Sequence, residues 1–486
     1  MAGELSSIPQ RMIYDGQWIA AKGGSIDVTE KATGEVIGNI GLANADDVAN
    51  AAAKAAEAQK AWANVPGPSR GDILRKMASL ITENAKEISD WLVRETGSVR
   101  PKAEWEVFTT AREVLEAAAA PSMPQGHILA TEVPGRRSYA RRLPIGVAGV
   151  ITPWNSPFLL AARAYGPALA LGNAVVLKPD HQTPIVGGVI PAMLLEAAGL
   201  PAGLFQVVPG AGDVGEAVVT DPNIDMVSFT GSSAVGAVVG STAGKLIKRV
   251  SLEMGGNNAF IVLDDADIDL ACSAGCFGSF FHQGQICLTA GRHFVHEKIV
   301  EAYIRTIADK ASAMPVGDPF REEVALGPII NEKQAARAER IVRESVEMGA
   351  RIEIGGERNG LYFKPTVLSG VTPDMPAFKE EIFGPVAPII SVASDDEAVA
   401  LANRTEYGLS AAIQSKNVSR AMAIADRLHS GIIHINEQTV LHEVYGPIGG
   451  VGASGNGYNF GTLSNADQFT ELQWLTVRDD QAPYPF

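Results

Sequence analysis

From residue 146 onward, short apolar runs alternate with stretches of helical period, and this alternation constrains the fold more than any other feature of the chain. Such runs read as strands of a parallel sheet covered by helices on both faces. Strands are expected at 147–152, 174–178, 205–208, 226–229 and 250–253, with helices opening near Phe158, Pro184, Val214 and Ala234. This is a doubly wound α/β unit of the dinucleotide-binding type, which takes ligands at the carboxyl ends of its strands. A second alternating block opens near Asn258 (NNAFIVL), continues through 267–280, 292–295 and 298–314, and ends around Ser454. Two α/β units of similar size imply a cleft between them.

The first third is helical by pattern. An Ala-rich helix with an acidic first turn is expected over 46–62, stopped by Pro66. After Ser69 a second helical pattern runs through Ile73, Leu74, Met77, Leu80, Ile81, Ile88, Leu92 and Val93 to Gly97. At 136–143 the text becomes RRSYARRL, extended and basic, either a solvated face or an interaction strand.

At 486 residues the chain has room for two or three domains, and a formal net charge of −15 disfavours a nucleic acid partner. The opening MAGELSSIPQ lacks the cationic and apolar regions of a secretory signal, and three cysteines argue against a disulfide scaffold. An uncharged, largely apolar stretch, 145–162, matches a membrane span in length but contains Pro153, Asn155, Pro157 and two glycines. A soluble cytoplasmic protein with no membrane partner is expected.

Several strand ends of the first unit finish on residues that can do chemistry: Asn155, Lys178, Gly231-Ser232 and Glu253. The run GSSAVG at 231–236 opens a helix and either offers backbone N–H groups to a phosphate or is an ordinary strand-to-helix turn. Cys272 and Cys276, four apart among small apolar residues, read as core packing rather than metal ligands. Cys287 lies in FFHQGQICLTAGR, where Gly284 and Gly291 relax the backbone and Gln283 and Gln285 are polar. A thiol in such a loop is either a nucleophile whose pKa main-chain dipoles lower or a structural cysteine. His282 reads as a surface or core residue rather than a catalytic base. Glu253, followed by Gly255 and Gly256, is either a general base or an ion-paired carboxylate.

Six ordered phrases carry a resemblance: PWN at 153–155, LKP at 177–179, FTGSSAVG at 229–236, LEMGG at 252–256, GQIC at 284–287 and EEIFGPV at 380–386. In order and spacing the chain resembles the aldehyde dehydrogenase superfamily over nearly its whole length. KPDHQTP, HQGQIC, GGVGASGNG and the YPF ending are most similar to bacterial benzaldehyde dehydrogenases, with vanillin and salicylaldehyde dehydrogenases as near relatives.

The resemblance implies a discontinuous NAD(P)-binding domain (1–127 and 146–253), a catalytic domain (254–455) and a small β oligomerisation arm (128–145 and 470–486) of a homodimer or homotetramer. It implies oxidation of an aldehyde to the acid, with NAD as cofactor and NADP possible. Cys287 would attack the carbonyl, the Asn155 amide and the Cys287 N–H would hold the oxyanion, and Glu253 would activate water against the thioester. Lys178 and Glu381 would bind the adenosine and nicotinamide ribose hydroxyls, Phe383 would line the nicotinamide end, and Trp154, Gly212, Gly231, Ser232 and Val235 match further cofactor contacts. An apolar pocket for a flat ring is expected from Leu160, Phe281, Ile286, Leu288, Thr439, Val440 and Leu441.

Two positions depart from the family. His181 stands where many NAD-using relatives carry Glu, so nothing at that position repels a 2′-phosphate. Arg163 replaces an aromatic beside the tunnel and either meets a ring substituent or pairs with an acid such as Glu443. Alternatives are a semialdehyde or aliphatic aldehyde dehydrogenase, a cysteine thioesterase or hydrolase, or a non-catalytic structural protein. A CoA-acylating enzyme is disfavoured by the presence of Glu253.

Overall fold

A computed structural model describes residues 8–462 and 464–485. The opening residues read for a leader lie partly outside these, as does Phe486 at the end of the expected arm. The first unit is a seven-stranded sheet in the order Arg249–Glu253, Met226–Thr230, Val147–Ile151, Ala174–Lys178, Phe205–Val207, Met12–Tyr14, Trp18–Ala20. The first five strands are parallel and pair in register, Ile151 opposite Lys178 and Thr230 opposite Glu253, so their polar carboxyl ends emerge side by side. Central strands such as Ala174–Lys178 are buried throughout, which is why they read as continuous apolar runs.

The second unit is another seven-stranded sheet, with Asn258–Val262 between Ala290–His296 and Ser410–Gln414. Apolar clusters cover its two faces, one around Ile261, Phe294 and Phe378 and one around Phe260, Tyr303 and Ile307. Arg137–Pro144 pairs antiparallel with Thr470–Val477 along its whole length and with Gly126–Leu129 on its other edge. The basic strand is matched by the later one: Arg137 pairs with Asp479 and Arg141 donates to Gln473. The chain re-enters the first unit beside its exit: Met254 N–H donates to the Ser454 carbonyl, and Glu253 bridges Gly455. Among the described residues, no helix is long and apolar enough to cross a membrane.

Three expectations need correction. The helical pattern ending at Gly97 is two helices, Gly67–Glu83 and Ala85–Thr96. They break at Asn84, whose side-chain amide joins its own N–H in donating to the Leu80 carbonyl. The helix expected from Pro184 starts with a widened turn, Ile185–Val189, before Ile190–Ala198, and the buried Glu95 carboxylate accepts the Ile185 and Val186 N–H groups there. The first third is not purely helical: Met12–Tyr14, Trp18–Ala20, Ser25–Thr29 and Val36–Gly41 are strands, all short, and only Ser25–Thr29 (SIDVT) carries a clear period of two.

Candidate active site

Beyond Ile151 the chain turns through Trp154 and Asn155 into the helix Pro157–Ala170, all of whose residues are buried. The Asn155 amide donates to the Gln285 carbonyl at 2.9 Å, which fixes it beside the Cys287 loop. That loop has unusual backbone. His282, Gln283 and Gly284 all have positive φ (51°, 57° and 67°), a conformation costly for the first two. Buried side-chain amides hold it: Gln283 donates to the Gly97 and Pro328 carbonyls at 3.0 and 2.9 Å, and Gln285 accepts the Ile330 N–H at 3.0 Å. The two glutamines are therefore anchors, not the polar surroundings of an open loop. His282 is a core residue with no exposed surface, and burial holds its pKa well below the ordinary histidine value.

Cys287 is half-buried at the edge of an apolar cluster of Ile286, Leu288, Leu409 and Val440, with Phe281 beside it. Burial pushes its thiol up to about 11, against the pull of the Arg163 charge, so dipolar lowering does not prevail at this thiol. Cys272 and Cys276 are buried against the helix Val300–Ser312, their thiols directed at the Tyr303 and Ile307 carbonyls. Glu253 is 3% exposed with one carboxylate oxygen unpartnered, and burial raises it to about 8. Gly255 and Gly256 leave room for neighbours: a Cβ on Gly255 would lie 2.4 Å from both Glu381 oxygens, and one on Gly256 3.1 Å from the Cys287 carbonyl.

Two cavities open at the strand ends. One, of about 160 Å³, is lined by Trp154, Asn155, Leu160, Gly231, Ser232, Cys287, Glu381 and Phe383. Here Glu381 accepts the Gly256 N–H at 3.0 Å, and Trp154 meets Phe383 edge to face at 5.5 Å. The other, of about 560 Å³, is lined by Lys178, His181, Gly212 and Val235 together with Ile151, Phe229 and Val239. Gly231 is required because a Cβ there would lie 2.5 Å from the Phe229 ring. Ser232 caps the helix Ser233–Lys245 by accepting the Val235 N–H. The turn at 231–236 thus puts a helix N-terminus at the cavity.

Placement of the expected pocket residues is uneven. Leu160, Phe281, Ile286, Leu288 and Val440 surround Cys287. Thr439 is fully buried, with its carbonyl accepting from Ser410, and Leu441 is half-buried outside the cluster. Arg163 does not pair with Glu443. It is 6% exposed on the inner side of a buried helix, its guanidinium 4.6 Å from the Phe460 ring centre, whereas Glu443 lies on the surface near Arg112. Among the described residues no carboxylate forms an ion pair with Arg163, and its charge is felt by both Glu253 and Cys287.

Sequence reasoning missed several groups. Asp180 lines the larger cavity, 3.7 Å from His181 Nδ1; the acid in KPDH was its signal. Trp105 stands edge-on to Phe281 and to His442, each at 6.1 Å, and Phe277 stacks on Phe281 at 4.6 Å, extending the apolar wall with aromatic rings. Nothing local marks Trp105, because it arrives from the distant helix Arg100–Ala119.

A vanillin dehydrogenase from an Amycolatopsis species is 50% identical to this chain, covering 98% of each. A benzaldehyde dehydrogenase [NAD(+)] from Pseudomonas putida is 44% identical, covering 98% of this chain and 97% of its own. Among solved structures, a salicylaldehyde dehydrogenase from Pseudomonas putida G7 complexed with salicylaldehyde superposes with a TM-score of 0.95 at 31% identity, covering 99% of this chain and all of its own. With Cys287 and Asn155 lining one cavity at the strand ends, and residues 18–475 matching the model of the aldehyde dehydrogenase family, the chain belongs to that family.

Proposed function

We propose that this enzyme oxidises an aromatic aldehyde to its carboxylic acid with NAD, and that Cys287, Asn155 and Glu253 carry the reaction. The observation that bears most weight is the apolar wall beside Cys287: Ile286, Leu288, Val440 and the Phe281 ring, backed in turn by Phe277 and Trp105, a surface that suits a flat apolar ring. The names of the vanillin and benzaldehyde relatives support the same substrate class.

The residues fit a dinucleotide. The cavity of about 560 Å³ offers apolar sides for an adenine, with Lys178 and His181 at its ribose end, and Glu381 and Phe383 stand at the smaller cavity for the nicotinamide end. The chemistry it supplies when bound is hydride acceptance. Asp180 and Asp213 both act on Lys178, so a 2′-phosphate there meets carboxylates, which favours NAD over NADP.

Cys287 Sγ forms a bond to the aldehyde carbon, and the carbonyl oxygen becomes an oxyanion that accepts from the Asn155 side-chain N–H and the Cys287 backbone N–H. Arg163, a buried cation whose charge reaches Cys287, favours the thiolate. Once a thioester stands on Cys287, the Glu253 carboxylate takes a proton from water as that water attacks the acyl carbon; the C–S bond breaks, the acid leaves and Cys287 is released as the thiolate. The three-stranded arm, with Ile128 85% and Trp474 72% exposed, suits pairing with a second copy of the chain. Three free cysteines are consistent with a cytoplasmic setting.

Initial rates with benzaldehyde, hydroxylated and methoxylated benzaldehydes and linear aldehydes, each with NAD and NADP, test this reading. Benzaldehydes with NAD are expected to give the highest kcat/KM. Linear aldehydes better by about tenfold would overturn the aromatic assignment.

A further inference from the structure

Behind the proposed oxyanion site lies an ion pair with no access to solvent. Lys102 and Glu106, both 0% exposed, face each other one turn apart on the helix Arg100–Ala119. The Lys102 ammonium also donates to the Asn155 backbone carbonyl at 2.9 Å. The second Glu106 oxygen accepts the N–H groups of Phe158 and Leu159, at 3.0 and 3.2 Å, in the first turn of the helix Pro157–Ala170. Ser156, at the N-cap position, makes no capping bond of its own, so a carboxylate from another helix does that work.

The pair grips the chain on both sides of Asn155. Its backbone carbonyl is held by the ammonium, the helix that follows is held by the carboxylate, and its side-chain amide spends one N–H on the Gln285 carbonyl. The other amide N–H is left with a fixed direction. A buried ion pair is a poor device for stability alone, since well-packed apolar residues commonly do as well. We propose that Lys102 and Glu106 are positioning residues for the reaction: they hold the Asn155 amide where the oxyanion forms. This rests on the reading of Asn155 as an oxyanion donor.

A double-mutant cycle tests the proposal. Lys102→Met, Asn155→Ala and the double variant are compared for kcat, aldehyde KM and NAD binding by fluorescence titration, each first checked for fold by circular dichroism and gel filtration. Lys102→Met is expected to lower kcat by about 10²-fold, within the range for losing an oxyanion donor, while NAD affinity holds within about twofold. In the Asn155→Ala background the same change should cost less than about twofold. Equal losses in both backgrounds, or wild-type kcat in Lys102→Met, would overturn the proposal. Glu106→Gln, which keeps the volume and removes the charge, carries the same cycle if Lys102→Met does not fold. An unimpaired Asn155→Ala would instead refute the role of Asn155, an outcome visible in that single variant.

Discussion

The two cavities at the strand ends are built by different means. The Lys178 cavity is made from parallel strands and helix N-termini in ordinary backbone, and Gly212 there has nothing within 4 Å of where a Cβ would stand. The Cys287 side depends on consecutive left-handed residues held by bonds within the loop, such as Thr289 to the Gly284 carbonyl, and by distant partners that include Gly97, Pro328 and Ile330. A dinucleotide needs a groove of the right shape, which regular structure supplies. The proposed nucleophile would have to be held against an amide and a carboxylate from other segments, and the loop that carries it uses strained backbone fixed in part from outside.

The largest test of this difference is removal of the nucleophile. Cys287→Ala should lower the steady-state rate by more than about 10³-fold, whereas Cys272→Ala and Cys276→Ala should lower thermal stability and leave the rate within about threefold. A Cys287→Ala enzyme with substantial activity would break the comparison at its centre.

Glycine substitutions separate the cavities by fold. Gly284 has φ of 67°, and a Cβ on it would stand 2.2 Å from the Gly384 carbonyl oxygen. Gly284→Ala should therefore destabilise the protein by about 3 kcal/mol or more, and Gly212→Ala by less than about 0.5 kcal/mol, measured by denaturant unfolding. Similar losses at both positions would mean that the loop is no more constrained than the groove.

Glu253→Gln should spare the first turnover and slow the second phase, giving a burst of NADH near one per site in rapid mixing. In the wild type the slow phase should rise with pH through about 8, because the carboxylate is the active form. The same burial affects stability. A carboxyl whose folded pKa lies above its unfolded value binds its proton more tightly when folded, so folding stability falls as pH rises from about 4.5 towards 8. Glu253→Gln removes that loss and should raise Tm relative to the wild type at about pH 9 more than at about pH 5. Equal loss of burst and steady state would remove Glu253 from the water-activating step.

The smallest expected effect lies at the ribose end. Asp180→Asn should raise kcat/KM with NADP relative to NAD by up to about tenfold, and His181→Glu should lower that ratio. A ratio unmoved by either change would place the selectivity outside this loop.

What could be read from the sequence follows the same division. The five parallel strands lie within one residue of their expected bounds at each end, because a strand buried on both faces shows as an unbroken apolar run stopped by a polar residue. Cys287 separated from Cys272 and Cys276 by neighbours alone. Arg163, Gln283 and Gln285 did not yield to such reading, since their surroundings come from Phe460, Gly97 and Ile330, far along the chain. The early strands are a different case: Ser25–Thr29 alternates polar and apolar residues over five positions, a strand signal within reach of the sequence, whereas Met12–Tyr14 and Trp18–Ala20 have three residues each and show none.

The adjacent exit and return at Glu253 and Gly455 have a consequence for synthesis. Phe460 and Phe469 belong to the core of the first unit, Gln468 donates to Ser251 in its edge strand, and Asn173 donates to the Phe469 carbonyl. The strands of the first unit therefore wait for a segment made about two hundred residues later before their own interior can close, with the second α/β unit emerging in between. During that interval Ser251 and Asn173 lack the partners that Gln468 and Phe469 later supply, and the apolar surface that Phe460 and Phe469 will cover stays open to wrong contacts.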